Sequence, residues 1–161
     1  MSHRAFISYH HDADQWYANY LRENYGDGEV FFDESLAYAY PDSWPDDRIL
    51  SDIRTEHLRD STVTVVLIGA ETAGRKWVDW EINASLRPYG KRTRNGLLGI
   101  YLPGCGDAPA RLQDNIDSGY AVTMVWNDVA WRLEDKIQEA FDLRGSTDLV
   151  ENSRPLRRRN G

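Results

Sequence analysis

The segment from Thr62 to Ile68, with the sequence TVTVVLI, restricts the fold more than any other part of the chain. Its side chains are apolar on both faces apart from the threonines, which is typical of a central parallel strand with helices packed above and below it. Parallel neighbours cannot be joined by a tight hairpin, so such a strand requires crossover connections, usually helical. The segment therefore predicts an α/β domain.

The rest of the chain alternates between short runs rich in β-branched residues and longer stretches with helical spacing. With right-handed crossovers, these elements fit a five-stranded open parallel sheet in the order 2-1-3-4-5, a three-layer flavodoxin-like fold with helices on both faces. Ligands of such sheets bind beyond the carboxyl ends of the strands, so functional residues are expected there. The predicted strands are Arg4–Tyr9, Glu29–Phe32, Thr62–Ile68, Leu97–Leu102 and Tyr120–Trp126.

Four helices are predicted from apolar residues that recur every three or four positions. One of two aspartates is expected to cap the first helix, which should stop at Gly26. The stretch from Pro103 to Ile116 is interpreted as a loop at the rim of the sheet. The predicted helices begin at Asp12 or Asp14, after Pro45, near Lys76 and near Asp128, and the last two end near Tyr89 and Leu143.

Length and composition limit the number of domains and the kinds of partner. The chain has 161 residues, which suits one domain, predicted to cover residues 1–144. Residues 145–161 combine Gly, Ser, Asp, Asn and Pro with an arginine cluster, and we expect this tail to be disordered. The net charge of -7 disfavours broad nucleic-acid binding. Without a signal peptide or an apolar stretch of roughly 20 residues, the chain is expected to be cytoplasmic, with no membrane partner.

Trp77 and Glu81 are four residues apart on the third predicted helix, so they share a face next to its buried stripe. This spacing predicts that Glu81 lies at the rim of the sheet. Two explanations for the residue stay open at this point. A buried acid near a ligand site can be catalytic, whereas an acid near the first turn of a helix is also stabilised by the helix dipole.

The loop from Asp33 to Asp47, with the sequence DESLAYAYPDSWPDD, is longer and richer in acids and aromatics than a connector needs. It is either a functional loop or a surface excursion that its aromatic side chains hold down. The neighbouring histidines and aspartates at positions 10, 11, 12 and 14 could suggest a metal site. Successive residues at a strand end point in different directions, so no metal is expected, and His10 is interpreted as a residue that lines the site.

Three segments resemble the Toll/interleukin-1 receptor (TIR) family: RAFISYHHDAD at the start, STVTVVLIG in the central strand and GRKWVDWEI on the following helix. The resemblance covers roughly residues 4 to 143 and is closest to the TIR proteins of bacterial Thoeris antiphage systems. Trp77 followed four residues later by Glu81 resembles the WxxxE element of the family, whose glutamate is catalytic in TIR enzymes that cleave NAD. The resemblance therefore implies a TIR fold with Glu81 as the catalytic residue.

The same resemblance implies an NAD+ nucleosidase or ADP-ribosyl cyclase that takes NAD+ as its substrate and needs no further cofactor. Its product would be a signalling nucleotide, either a cyclic ADP-ribose isomer or a conjugate, made in antiphage defence and sensed by a separate effector protein. Self-association through the 33–47 loop is also implied. The substrate-binding candidates are Phe6, Ser8, His10, Asp33 and Trp77.

Three other function classes fit the sequence less well. A TIR-like adaptor would associate through the same loop and helix without cleaving NAD, and the presence of Glu81 argues against it. A phosphate-accepting receiver domain has the same strand order, but it needs paired acids before the end of the first strand and a lysine after the fifth, and neither is present. A metal-dependent nuclease would need acidic residues and His10 to converge on one ion. No Walker, GxGxxG, GxSxG or HExxH motif occurs, which disfavours the enzyme classes that use them.

Overall fold

The computed structural model describes residues 3–26, 30–34, 38–91 and 93–161, with residues 30–34 described by their backbone. Among these residues, no helix combines the length and the apolar character needed to cross a membrane. The principal elements in chain order are β1 His3–Ser8, α1 His11–Tyr25, β2 Val30–Glu34, α2 Asp46–Asp52, β3 Val63–Ile68, α3 Lys76–Ser85, β4 Gly96–Tyr101, α4 Ala110–Ser118, β5 Val122–Val125 and α5 Val129–Asp142.

The five strands form one parallel sheet in the order β2-β1-β3-β4-β5, which is the order expected from the sequence. β3 lies at the centre, where it pairs with β1 from Ala5 opposite Val63 and with β4 from Val63 opposite Gly96. Every residue of β3 is buried, which confirms that this apolar segment is a central strand. Each strand begins and ends within two residues of its predicted position.

Helices cover both faces of the sheet and make three layers. On one face, apolar side chains of α1 and α5 pack against the sheet, with Leu21 and Ile137 fully buried. On the other face, α2, α3 and α4 pack in sequence, and Ile82 of α3 contributes to the cluster beneath α4. Phe6 of β1 is fully buried under α2 and α3. The core is therefore split into two halves by the sheet, as in other three-layer α/β domains.

The helix boundaries differ from the prediction at two places. α1 begins at His11 with His10 at its N-cap, so the expected cap by Asp12 or Asp14 is wrong; both aspartates lie inside the first turn. α2 starts after Pro45, as predicted, and continues as a π-helical turn over Ile53–His57. α3 ends at Ser85 instead of near Tyr89, because Pro88 disfavours helical geometry in the residue before it.

α4 lies in the stretch that the sequence led us to interpret as a rim loop. Two of its buried residues are Arg111 and Asn115, which are polar and therefore hide the apolar periodicity that marks an amphipathic helix. Gly119 ends the helix with a positive φ of 89°, a conformation that glycine adopts without steric cost.

Residues 151–161, hereafter the 151–161 segment, lie against α4 and α3, which differs from the disordered tail predicted from composition. Both backbone groups of Glu151 bond to the amide side chain of Asn115. Arg154 makes a two-bonded ion pair with Asp114, at 2.8 and 2.9 Å. The prediction differs because composition gives only the polarity of a segment. It does not show that distant residues such as Asn115 can form hydrogen bonds with that segment.

Candidate active site

A pocket of about 220 Å³ opens where β1 runs into α1 and where α3 begins. It lies beyond the carboxyl ends of the strands, where ligands of parallel sheets bind. Pockets that enclose a whole drug-sized ligand are usually about 300–1,000 Å³, so this one suits part of a larger ligand. Its lining residues are Tyr9, His10, His11, Asp12, Tyr38, Arg75, Trp77, Val78, Glu81 and Asn160.

Glu81 lies at the inner end of this pocket and is only 1% exposed. The Ser8 hydroxyl donates a hydrogen bond of 2.6 Å to its Oε1, and the Tyr38 hydroxyl donates one of 2.6 Å to its Oε2. A buried carboxyl group is costly unless it is hydrogen-bonded, and these two hydroxyls supply that compensation. Both oxygens of Glu81 are thus held in fixed positions facing the pocket.

Local sequence explains why Glu81 takes this position. Val78 and Ile82 of α3 are buried against the sheet and fix the rotation of the helix, which leaves Glu81 beside them at the rim. Ser8 is the last residue of β1, opposite Val66 of the central strand, and is fully buried. The hydroxyl of Ser8, at the carboxyl end of β1, is therefore within hydrogen-bond distance of the Glu81 carboxylate on α3.

Tyr38 comes from the loop after β2 and was not among the candidates taken from the sequence. Its ring lies 5.0 Å from the ring of Trp77, 5.0 Å from that of His57 and 5.7 Å from that of Tyr40, measured between centroids. Burial, and then the neighbouring charge of Glu81, raise the pKa of Tyr38 above its usual value, so its hydroxyl stays a donor. The signal for it was the cluster of aromatics in the long acidic loop.

His10 brings a second polar group to the pocket. It is 6% exposed, and its Nδ1 lies 3.8 Å from Glu71 Oε2, too far for a hydrogen bond. Within the described residues, no hydrogen-bond partner reaches that Nδ1. Buried nitrogens are rarely left this way, and His10 is among the residues that line the pocket.

Asp14, in the first turn of α1, packs against the connection between β3 and α3, next to Gly69 and Thr72. Burial is the largest influence on this carboxyl and raises its pKa, while His10 and a 3.5 Å contact from the Thr72 hydroxyl act in the opposite direction. Residues 3–26, 38–91 and 93–161 contain no group of three His, Cys, Asp or Glu side chains arranged to hold a metal ion.

The structure brings together only some of the residues that the sequence nominated. Glu81, His10 and Trp77 line the pocket. Ser8 does not line the pocket itself, but it donates a hydrogen bond to Glu81, which does. Phe6 is fully buried in the core under α2 and α3, away from the pocket lining. The side chain of Asp33 lies outside the described residues, although its backbone is in β2, paired with Phe6.

Comparisons with known proteins place this architecture in a family. The model of the family described as "Thoeris protein ThsB, TIR-like domain" matches residues 6–107, a range that includes Ser8, Tyr38 and Glu81. A protein of Bacillus cereus (strain MSX-D12) named "Putative cyclic ADP-D-ribose synthase ThsB1" is 30% identical over 109 residues, which cover 63% of this chain and 53% of that protein. The chain thus spans about half the length of the curated relative it matches.

Among solved structures, the TIR domains of the activated Roq1 resistosome directly recognizing the pathogen effector XopQ align with 92% of this chain and 83% of that chain, at 12% identity and a TM-score of 0.44. The family match rests on more than half of the chain and spans β1 to α3, the elements that supply Glu81 and the two hydroxyls that hold it. The chain therefore belongs to the family of ThsB TIR-like domains.

Proposed function

We propose that this protein cleaves the nicotinamide N-glycosidic bond of NAD+, with Glu81 as the catalytic residue. The single observation that carries the proposal is a buried carboxylate at the inner end of a pocket, held by hydroxyl donors on both of its oxygens. The family relationship and the printed name of the Bacillus cereus relative, a cyclic ADP-D-ribose synthase, support the same chemistry.

The reaction needs little more than a fixed negative charge. Breaking this bond generates an oxocarbenium-like ribosyl cation, and nicotinamide leaves readily because it is positively charged while bound to ribose. No strong general acid is required. In a pocket with little water, the Glu81 carboxylate stabilises the positive charge that develops on the ribose and can accept hydrogen bonds from ribose hydroxyls.

In this proposal Glu81 binds the substrate while it keeps its hydrogen bonds to Ser8 and Tyr38. A carboxylate oxygen can accept more than one hydrogen bond, so the bonds from the Ser8 and Tyr38 hydroxyls do not by themselves prevent Glu81 from accepting one from a ribose hydroxyl. Ser8 and Tyr38 act in this scheme as positioning residues, which hold the carboxylate in a geometry that would otherwise cost entropy to reach.

Other pocket residues are assigned by their chemistry. Trp77 offers a half-buried aromatic wall against which the nicotinamide ring can stack. His10 presents a buried nitrogen to a ligand polar group. The pocket is too small for the whole dinucleotide, so we assign it the nicotinamide riboside end, with Arg75 facing the pyrophosphate. Asp33 stays a candidate for ribose contact, and Phe6 would act only through packing beneath the site.

The fate of the ribosyl cation defines the biological role that we propose. An internal nucleophile would give a cyclic ADP-ribose isomer and an added amine a conjugate, and either would serve as a signalling nucleotide in antiphage defence. A separate effector protein would sense it. Self-association through the 33–47 loop is part of the proposal, because a neighbour's loop could complete the open side of the pocket.

The test is nicotinamide release from NAD+ by purified, concentrated protein, with and without infected-cell lysate, followed by mass spectrometry of the products. Glu81→Gln should lower turnover by at least about a hundredfold, because the amide keeps the shape but removes the charge that stabilises the transition state. Glu134→Gln is the matched control, since this exposed glutamate lies on α5, on the opposite face of the sheet.

Equal turnover in the Glu81→Gln and Glu134→Gln proteins would refute a catalytic Glu81. If the parent protein released no nicotinamide under any of these conditions, the adaptor class would take the place of the enzyme class. The product mass assigns the reaction type: one water molecule separates ADP-ribose from its cyclic isomers, and a conjugate carries the mass of the added amine.

A further inference from the structure

The 151–161 segment crosses α4 and α3 and ends at the pocket. Its path over α4 is fixed by Arg111, whose guanidinium donates to Asn152 Oδ1 at 3.0 Å and to the carbonyl oxygen of Pro155 at 3.3 Å. Arg111 is fully buried, so these bonds form in a setting where few water molecules compete for them. The segment is therefore attached to the body before it reaches the site.

On α3 the segment bonds to the two residues that precede Glu81 in the helix. The carbonyl oxygen of Arg157 accepts a hydrogen bond of 2.8 Å from the Trp80 indole, and the backbone N–H of Arg157 donates one of 2.7 Å to Asp79 Oδ2. Asp79 is also paired with Arg111 at 2.9 Å. Two consecutive residues immediately before Glu81 are thus tied to the same short stretch of chain.

At the pocket, the segment supplies a cap that α3 lacks locally. Arg75 occupies the N-cap position of α3 but makes no capping hydrogen bond with its side chain. Instead, Asn160 Oδ1 accepts a hydrogen bond of 2.8 Å from the backbone N–H of Lys76, and Gly161 N–H donates one of 2.9 Å to the carbonyl oxygen of Gly74. Asparagine is among the side chains that best satisfy the free N–H groups at the start of a helix.

Asn160 also lines the pocket together with Glu81 and Trp77. The cap and the pocket wall are therefore the same side chain. A shift of the first turn of α3 would move Trp77 and, one turn later, Glu81. Small displacements of a catalytic group lower the reaction rate strongly.

We infer that Asn160 is a positioning residue for Glu81, which it holds in place by capping α3 from a distant part of the chain while it closes one wall of the substrate pocket. This inference rests on the proposed NAD cleavage. It assigns the 151–161 segment to the active site, although the matched family region stops at residue 107.

Two substitutions at one position separate positioning from general stability. Asn160→Ala removes the acceptor and should lower kcat roughly tenfold, while the melting temperature stays close to that of the parent protein. Asn160→Asp keeps an acceptor that caps helices well, so kcat should return to within about twofold of the parent. Its added negative charge at the pocket should repel the pyrophosphate of NAD+ and raise KM several-fold. A residue with only a structural role would not give this split between kcat and KM.

Arg159→Ala is the matched control, because Arg159 is exposed, adjacent to Asn160 and outside the pocket lining. If the parent protein cleaves NAD+ and Asn160→Ala behaves like Arg159→Ala, the inference is wrong and the proposed function stands. Hydrogen exchange of the Lys76 amide gives a readout without catalysis: it should accelerate in Asn160→Ala. Unchanged exchange there would refute the cap, and an inactive parent would refute the proposed function separately.

Discussion

Glu81 has almost no contact with water, yet both of its oxygens are satisfied, by Ser8 from a strand and by Tyr38 from a loop. The helical spacing of Trp77 and Glu81 predicted that both lie near the rim of the sheet, and both line the pocket there, whereas a catalytic role for Glu81 was implied by the resemblance to the TIR family. The sequence could not identify Tyr38 as a partner, since a loop has no periodicity from which the direction of a side chain follows. The resemblance also nominated Phe6, which lies within β1 and is fully buried in the core.

Tyr38→Phe tests the hydroxyl at the residue scale. The substitution removes the donor to Glu81 Oε2 but keeps the ring that packs on Trp77. We expect kcat for nicotinamide release to fall about tenfold or more, because the carboxylate loses one of the bonds that orient it. Tyr40→Phe, which removes a 2.7 Å hydrogen bond to Asp52 in the same loop, is the control. A rise in turnover of Tyr38→Phe would mean that the hydroxyl obstructs the substrate instead of orienting Glu81.

At the scale of elements, α3 and α4 are held together by a buried ion pair between Asp79 and Arg111. Neither charge could be placed from the sequence, because a buried arginine on a short helix looks like a surface residue in any periodicity analysis. The strands were predicted well for the opposite reason. Buried parallel strands are short, continuous apolar runs, and no polar side chain interrupts that pattern in β3 beyond its threonine.

Arg111→Met should lower the free energy of unfolding by about 3–5 kcal/mol, because it leaves Asp79 buried without its ion-pair partner. Adding Asp79→Asn should recover more than half of that loss, since the amide is neutral and can still accept from the Arg157 N–H. Urea denaturation of the single and double variants measures both values. Arg154→Met, which breaks the solvent-exposed pair with Asp114, should change stability far less. If Arg111→Met and Arg154→Met lowered the free energy of unfolding equally, burial of the Asp79–Arg111 pair would not increase its contribution to stability.

For the molecule as a whole, strand order and layering followed from the sequence because right-handed crossovers leave few topologies for this alternation of elements. The association of residues 151–161 with the body did not follow. That contact joins the segment to α3 and α4, more than 30 residues earlier in the chain, and nothing in its local composition marks such a partner. Hydrogen bonds between polar groups that are far apart in the chain are the contacts that are hardest to predict from one sequence.

The proposed self-association gives a prediction at this scale. If a neighbouring copy's loop completes the pocket, specific activity should rise with protein concentration, and the exposed loop residue Asp42 is a place to interrupt it. Asp42→Arg should flatten the concentration dependence by reversing a charge at the contact. Asp135→Arg, an exposed reversal on α5, is the control. Light scattering alongside the assay would report the oligomeric state, and a specific activity independent of concentration in the parent protein would contradict the prediction.

The pocket draws its lining from positions as far apart as Tyr9 and Asn160. During synthesis on the ribosome, the chain emerges from its amino end, and its early residues can fold while the last ones are still inside the exit tunnel. The pocket cannot be complete until Asn160 has emerged. Under the proposed function, a chain that is still being synthesised would therefore cleave NAD+ more slowly than the folded protein, because Asn160 is not yet in place to cap α3.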